Sequence, residues 1–99
     1  MMDMSTIIVG VFVGPKPEQV RAGRALLDWS QTRLAGEARV SLSTVKDFEA
    51  GRRDPMRANL AAMRTALEVA GVEFIAENGG GAGVRLKHPA TAASLPESQ

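Results

Sequence analysis

Apolar residues recur every three to four positions through the middle of the chain, which is the spacing of helices that bury one face. The pattern predicts a first helix over residues 17–28 and a fourth helix that ends at Gly71. Between them, the hydroxyls of Ser30 and Ser41 are suited to cap two short helices. The apolar positions expected to face a core are Val20, Leu27, Leu34, Ala35, Ala38, Val45, Phe48, Leu60, Met63, Leu67 and Ala70.

Strand-like sequences lie on both sides of the helical region. Residues 7–13 are almost entirely apolar, but the run is far shorter than a membrane span and lacks the basic start of a secretory signal, so it predicts a strand. Residues 72–77 and 84–87 alternate in polarity and predict two further strands. The glycine-rich run at 78–83 predicts the hairpin turn between them. A phosphate loop is disfavoured because no Lys-Ser/Thr ending and no helix follow.

Composition limits the chain to one small domain and excludes several classes of site. The 99 residues are 44% hydrophobic, which is enough for a single core. The absence of cysteine excludes disulfides, thiolate zinc sites and a cysteine nucleophile, and His88, the single histidine, cannot form a multi-histidine metal site. No metal or other cofactor is therefore expected, and no acid–base pair indicates an enzyme.

Charge is distributed unevenly along the chain. The formal net charge is only +1, which by itself indicates no nucleic-acid partner. Residues 15–71, however, contain ten basic and seven acidic residues, a net charge of +3, while the rest of the chain has a net charge of −2. The positive charge is thus concentrated in the predicted helices.

Two short capped helices joined by a turn of three to four residues form a helix-turn-helix between Ser30 and Gly51. This stretch resembles the XRE family of regulators, which includes the phage repressors and Cro. The resemblance covers about residues 20–70 and implies a mostly α, lambda-repressor-like bundle of about four helices. The residues that carry it are Arg24, Ser30-Gln31, Leu34-Ala35, Val40-Ser41, Thr44-Val45, Glu49-x-Gly51, Pro55 and Asn59-Leu60.

The resemblance also implies how the chain is organised. Residues 15–71 would be the DNA-binding domain, to which an N-terminal strand at 1–14 and a C-terminal hairpin at 72–88 are added. Residues 89–99 contain too little apolar sequence to pack and are expected to be a disordered tail.

Roles in DNA recognition follow from the same resemblance. The positions that face base edges in this family are Leu42, Ser43, Lys46 and Asp47, and those that contact the DNA backbone are Gln31, Ser41, Arg52, Arg53 and Arg57. The side chains suit these roles. Lys46 can donate to guanine, Leu42 can contact a thymine methyl, Ser43 can donate or accept, and Asp47 can accept from cytosine N4.

Two further positions concern structure rather than DNA. The family often joins the positions of Arg24 and Glu49 by an ion pair between the first helix and the end of the recognition helix. Arg39 is a departure, because it occupies a turn position that is usually glycine and where a left-handed backbone is required. We therefore expect a slightly reshaped turn.

The leading interpretation is a cytoplasmic, nucleoid-associated transcriptional regulator, most simply a repressor, without catalysis. Its recognition helix, Ser41 to Ala50, would enter the major groove of double-stranded DNA, and a homodimer would bind a pseudo-palindromic operator. The N-terminal strand and the C-terminal hairpin are the candidate dimer interface, and no membrane contact is expected. The alternative is a protein-interaction module on the same fold, an antitoxin or antiactivator. This alternative is favoured by Arg39, Leu42 and Asp47, because these residues are less suited to DNA recognition than those usual at their positions.

Overall fold

Four helices and one antiparallel hairpin make up the computed structural model of the protein, which describes residues 14–88. The prediction of a mostly α bundle with a C-terminal hairpin is confirmed. The predicted strand before Gly14 and the predicted tail after His88 lie outside the described residues. The elements are α1 (Pro17–Leu27), α2 (Gln31–Ala38), α3 (Leu42–Glu49), α4 (Arg57–Val69), β1 (Val72–Ile75) and β2 (Gly83–Leu86).

The helices begin where side chains can satisfy free backbone N–H groups. The Ser30 hydroxyl accepts from the Arg33 amide at 2.9 Å, and the Ser41 hydroxyl accepts from the Thr44 amide at 3.0 Å, as predicted. At α1, Pro17 occupies the first helical position, where its missing N–H costs nothing. The Gln19 side chain then reaches back and accepts from the Lys16 amide at 2.8 Å.

Several elements end earlier than the sequence pattern predicts. α1 ends at Leu27 because Asp28 adopts a left-handed backbone with φ of 59°. α4 ends at Val69 rather than at Gly71, since Gly71 has φ of 116° and cannot continue the helix. In the hairpin, β1 stops two residues before the predicted position and β2 is shifted by one, to 83–86.

The core receives side chains from every helix and from β1. The residues with no exposed surface are Val20 on α1, Leu34 on α2, Val45 on α3, Met63 and Leu67 on α4, and Val72 on β1. Ala35, Ala38 and Phe48 complete the buried cluster, and Leu27 and Leu60 pack against it half-buried. Of the predicted core positions, Ala70 lies outside this cluster because it caps the C-terminus of α4.

The hairpin is joined to the start of α1 by a buried amide. Gln19 is only 7% exposed, and its Nε2 donates to the carbonyl oxygens of Gly83 at 3.0 Å and Ile75 at 3.4 Å, two residues that pair across the hairpin. Lys16 Nζ lies 2.7 Å from a Glu77 carboxylate oxygen and lowers the pKa of that carboxyl. The hairpin is thus anchored from the same end of α1 by two contacts.

An ion pair also joins the two strands on the outer side of the hairpin. Glu73 and Arg85 are cross-strand partners, with Arg85 Nε 3.1 Å from a Glu73 carboxylate oxygen. The hydrogen bond and charge of Arg85 lower the pKa of Glu73. Both groups are at the surface, so the pair contributes little to stability.

Candidate nucleic-acid interface

In the turn between α2 and α3, Arg39 adopts the left-handed backbone conformation that glycine favours. Arg39 has φ of 61° and ψ of 44°, and its amide donates to the carbonyl of Gly36 at 3.3 Å. Val40 then donates to the carbonyl of Ala35 at 3.0 Å, which closes the end of α2. The left-handed backbone that the turn requires is therefore present, and the side chain of Arg39 is accommodated at the exposed surface.

One side of α3 is buried in the core, so its opposite side faces solvent. Val45 and Phe48 lie in the core, whereas Ser43 and Lys46 are exposed. Leu42, expected to point outward, is half-buried and packs against the core cluster, because the first turn of α3 lies against the rest of the domain. The outer face of α3 is consequently polar, with Leu42 at its inner margin.

The Ser41 hydroxyl is already engaged at the start of α3. Besides accepting from the Thr44 amide, it lies 2.8 Å from the Thr44 hydroxyl and 3.1 Å from the Ser43 hydroxyl. These three hydroxyls form one exposed cluster at the helix N-terminus.

Asp47 on the outer face is paired with an arginine from the following loop. Its Oδ1 accepts from Arg52 Nη2 at 3.1 Å and from Arg52 Nε at 3.3 Å. The Arg52 amide also donates to the Asp47 carbonyl at 2.9 Å, so backbone and side chain are both held against α3. The neighbouring Arg53 is exposed, and Arg57 is exposed at the start of α4.

Behind the outer face, the carboxylate of Glu49 joins three helices. Arg24 on α1 forms a bidentate pair with it, with Nε 2.7 Å from Oε2 and Nη2 2.7 Å from Oε1. Gln31 on α2 donates from Nε2 to the same Oε1 at 3.0 Å. The Glu49 side chain is 3% exposed and that of Arg24 is 18% exposed, so the pair is largely shielded from water. The end of α3 is therefore fixed relative to α1 and α2.

A shallow depression lies beside this cluster, at the N-terminus of α2. Its lining includes Arg21, Ser30, Gln31 and Lys46 together with Arg24 and Glu49. The first backbone N–H groups of a helix and nearby cations favour an anion, so the depression is chemically suited to a phosphate oxygen.

A helix-turn-helix family model matches residues 20–74, more than half of the chain. The chain belongs to this family, and its helix-turn-helix is of the XRE type. It is a DNA-binding regulatory family and not typically enzymatic. A search among curated proteins found no match.

Several contacts of this helix-turn-helix domain were not predicted from the sequence. Arg21 donates from Nη1 to the backbone carbonyl of Glu49 at 2.6 Å, which adds a second link between α1 and the end of α3. Arg33 lies over the Trp29 ring, 4.7 Å from its centroid, and also pairs with Glu37 at 2.8 Å. The position of Arg21, three residues before Arg24 and on the neighbouring part of the same helix face, was the available signal for the first contact.

Neither a membrane-spanning helix nor a metal site is found in the described part of the helix-turn-helix protein. Within residues 14–88 no helix is both long and apolar enough to cross a membrane. The same residues contain no group of three or more histidine or acidic side chains placed to hold a metal ion.

Proposed function

We propose that the protein is a sequence-specific transcriptional regulator whose recognition helix, Ser41 to Ala50, binds in the major groove of double-stranded DNA. The observation that carries this proposal is the placement of α3. Its inner side is locked by Val45 and Phe48 in the core and its end is held by the buried Glu49 carboxylate. A helix held in this way presents its outer polar side chains in a fixed orientation, as base readout requires.

The proposed base contacts are Leu42, Ser43, Lys46 and Asp47. Exposure supports Lys46 and Ser43, since both side chains are accessible to a base edge, and the Ser43 hydroxyl would exchange its contact with Ser41 for one with the base. Leu42 is half-buried, which suits contact with a thymine methyl at the edge of the interface better than deep insertion.

The proposed contacts to the DNA backbone are Gln31, Ser41, Arg52, Arg53 and Arg57. The Gln31 amide nitrogen carries two hydrogens and uses one toward Glu49, so the second can be donated to a phosphate oxygen. Bracing by Glu49 would then fix the direction of that contact. Such contacts position the protein on the duplex without reading sequence.

We further propose that the regulator acts as a cytoplasmic, nucleoid-associated repressor and that it binds a pseudo-palindromic operator as a homodimer. One helix-turn-helix contacts a half-site, so two copies related by a two-fold axis match a palindrome. Occlusion of a promoter is the simplest consequence of such binding.

The test begins by selecting DNA from a random pool with the purified protein. Fluorescence anisotropy on the selected site at several salt concentrations should then give a slope of log affinity against log salt of about −0.9 for each phosphate neutralised. Lys46→Ala should weaken binding to the selected site about tenfold. Arg33→Ala, which removes one exposed positive charge from α2 at a position with no proposed DNA contact, is the control and should bind as the unmodified protein does. Absence of salt-dependent binding, or equal effects of the two substitutions, would refute the proposal.

The second candidate function is a protein-interaction module, an antitoxin or antiactivator. The observation that favours it is the low positive charge of the outer face of α3. Lys46 is the only basic residue of this helix, and the charge of Arg52 beside it is offset by the Asp47 carboxylate. In that case a pull-down would recover one stoichiometric protein partner, and Lys46→Ala would not alter its recovery.

A further inference from the structure

The ion pair between Asp47 and Arg52 lies on the side of α3 that faces away from the core. The Asp47 side chain is 33% exposed and that of Arg52 is 64% exposed, so both partners are accessible to a bound molecule. The backbone bond from the Arg52 amide to the Asp47 carbonyl returns the chain along α3, which keeps the two side chains together. The pair therefore acts as one prearranged group.

The pair uses only part of its hydrogen-bonding capacity. Arg52 directs Nε and Nη2 toward a single oxygen, Asp47 Oδ1. A guanidinium has five N–H groups, so both hydrogens on Nη1 and one on Nη2 are left. Among the described residues, no hydrogen bond reaches Asp47 Oδ2. Two donor nitrogens of Arg52, Nη1 and Nη2, and one acceptor oxygen of Asp47, Oδ2, are thus left to bind another molecule.

These remaining donors and this acceptor are complementary to one particular base pair. In the major groove a guanine–cytosine pair presents two acceptors, guanine N7 and O6, next to one donor, the cytosine N4 amino group. We propose that Asp47 and Arg52 together read one guanine–cytosine pair, with Arg52 donating to guanine and Asp47 accepting from cytosine. The inference rests on the proposed function and changes the role of Arg52 from a backbone contact to a base contact.

A base edge fits this pair better than a phosphate does. A phosphate bound by Arg52 would lie close to the Asp47 carboxylate and be repelled by it, whereas a neutral base edge has a donor for that carboxylate. The carboxylate also restrains the long arginine side chain before binding, which lowers the entropic cost of a bidentate contact.

The experiment measures affinity for the wild-type selected site and for duplexes in which each base pair is changed in turn. The full chain is compared with Asp47→Ala, Arg52→Ala, the double variant and Arg52→Lys, and Arg33→Lys is the control at an exposed arginine with no proposed DNA contact. Unmodified protein should prefer guanine–cytosine at one position about 10- to 100-fold. Each single alanine variant should lose most of that preference at the same position, and the double variant should lose no more than Arg52→Ala does.

The lysine variants separate base reading from charge. Arg52→Lys keeps the positive charge but loses the guanidinium fork, so it should lose the preference while Arg33→Lys retains it. If Arg52→Lys keeps full discrimination, or Arg52→Ala weakens all duplexes equally, Arg52 contacts only phosphate and the inference is wrong. A protein that selects no DNA sequence would refute both this inference and the proposed function. If the protein selects a DNA site but no guanine–cytosine preference within it depends on Asp47 and Arg52, the inference is refuted and the proposed function is not.

Discussion

The carboxylate of Glu49 is almost fully buried, and it accepts three side-chain hydrogen bonds, two from Arg24 and one from Gln31. Removing one partner of such a pair leaves a charge without compensation in a poorly solvated place. The Trp29 carbonyl, which accepts from Arg24 Nη1 at 3.0 Å, would lose its contact as well.

We therefore expect Arg24→Ala to lower the free energy of unfolding by about 3 kcal/mol. The control is Arg33→Ala, because Arg33 makes only surface contacts, an ion pair with Glu37 and a stacking contact with the Trp29 ring, whose loss should cost about 1 kcal/mol or less. Urea denaturation of both variants measures the difference. Equal shifts in the two midpoints would show that the buried pair has no special weight.

At this scale the sequence indicated some partners and not others. The family pattern placed Arg24 opposite Glu49, and the structure brings them to 2.7 Å. The contact of Gln31 with the same carboxylate and that of Arg21 with the Glu49 carbonyl depend on how three helices converge. Spacing on α1 places Arg21 beside Arg24, but spacing alone does not show which group on another helix a side chain reaches, so neither contact could be assigned from the sequence.

Among the elements, the turn from α2 to α3 carries a backbone cost at Arg39. A left-handed backbone disfavours a residue with a Cβ atom, by about 1 kcal/mol or more. Arg39→Gly should therefore be more stable than Arg39→Ala by about 1 kcal/mol, since both variants lose the same long side chain. Thermal unfolding of the two variants measures this difference.

A glycine at the end of the next helix is the control. Ala50 caps α3 with an ordinary φ of −85°, so Ala50→Gly should lower stability rather than raise it. If Arg39→Gly and Arg39→Ala unfold at the same temperature, the left-handed backbone at Arg39 imposes no cost.

Element types were predictable, whereas their ends depended on single residues. The serine caps of α2 and α3 are local signals and appear at the expected positions. The early end of α1 depends on Asp28 adopting a conformation that aspartate tolerates but does not require. The strand pairing ends at Ile75 and Gly83, whose carbonyls both accept from Gln19, a residue more than fifty positions away along the chain.

At the scale of the whole molecule, the dimer interface that we propose consists of the apolar run at 7–13 and the hairpin. A two-stranded sheet has two edges, and strand edges readily pair with further strands. We expect the full chain to sediment as a dimer and a chain that begins at Pro15 to sediment as a monomer. The full-length variant Val11→Asp should weaken dimerisation in the same direction.

Circular dichroism of the shortened chain provides the control that its helices remain folded. Dimerisation that is unchanged in both the shortened chain and Val11→Asp would remove the N-terminal run from the interface.

The anchoring of the hairpin by Gln19 means that the boundary of the family and the boundary of the folding unit differ. The family match stops at residue 74, inside β1 and before β2 begins. A fragment cut at that point would leave Val72 and Phe74 in an unpaired strand and would remove the Gly83 carbonyl from the Gln19 amide. The smallest autonomous unit that we expect to be transferable to another protein therefore extends through Leu86, so a fusion or a domain exchange should be designed around the hairpin rather than around the shared family segment.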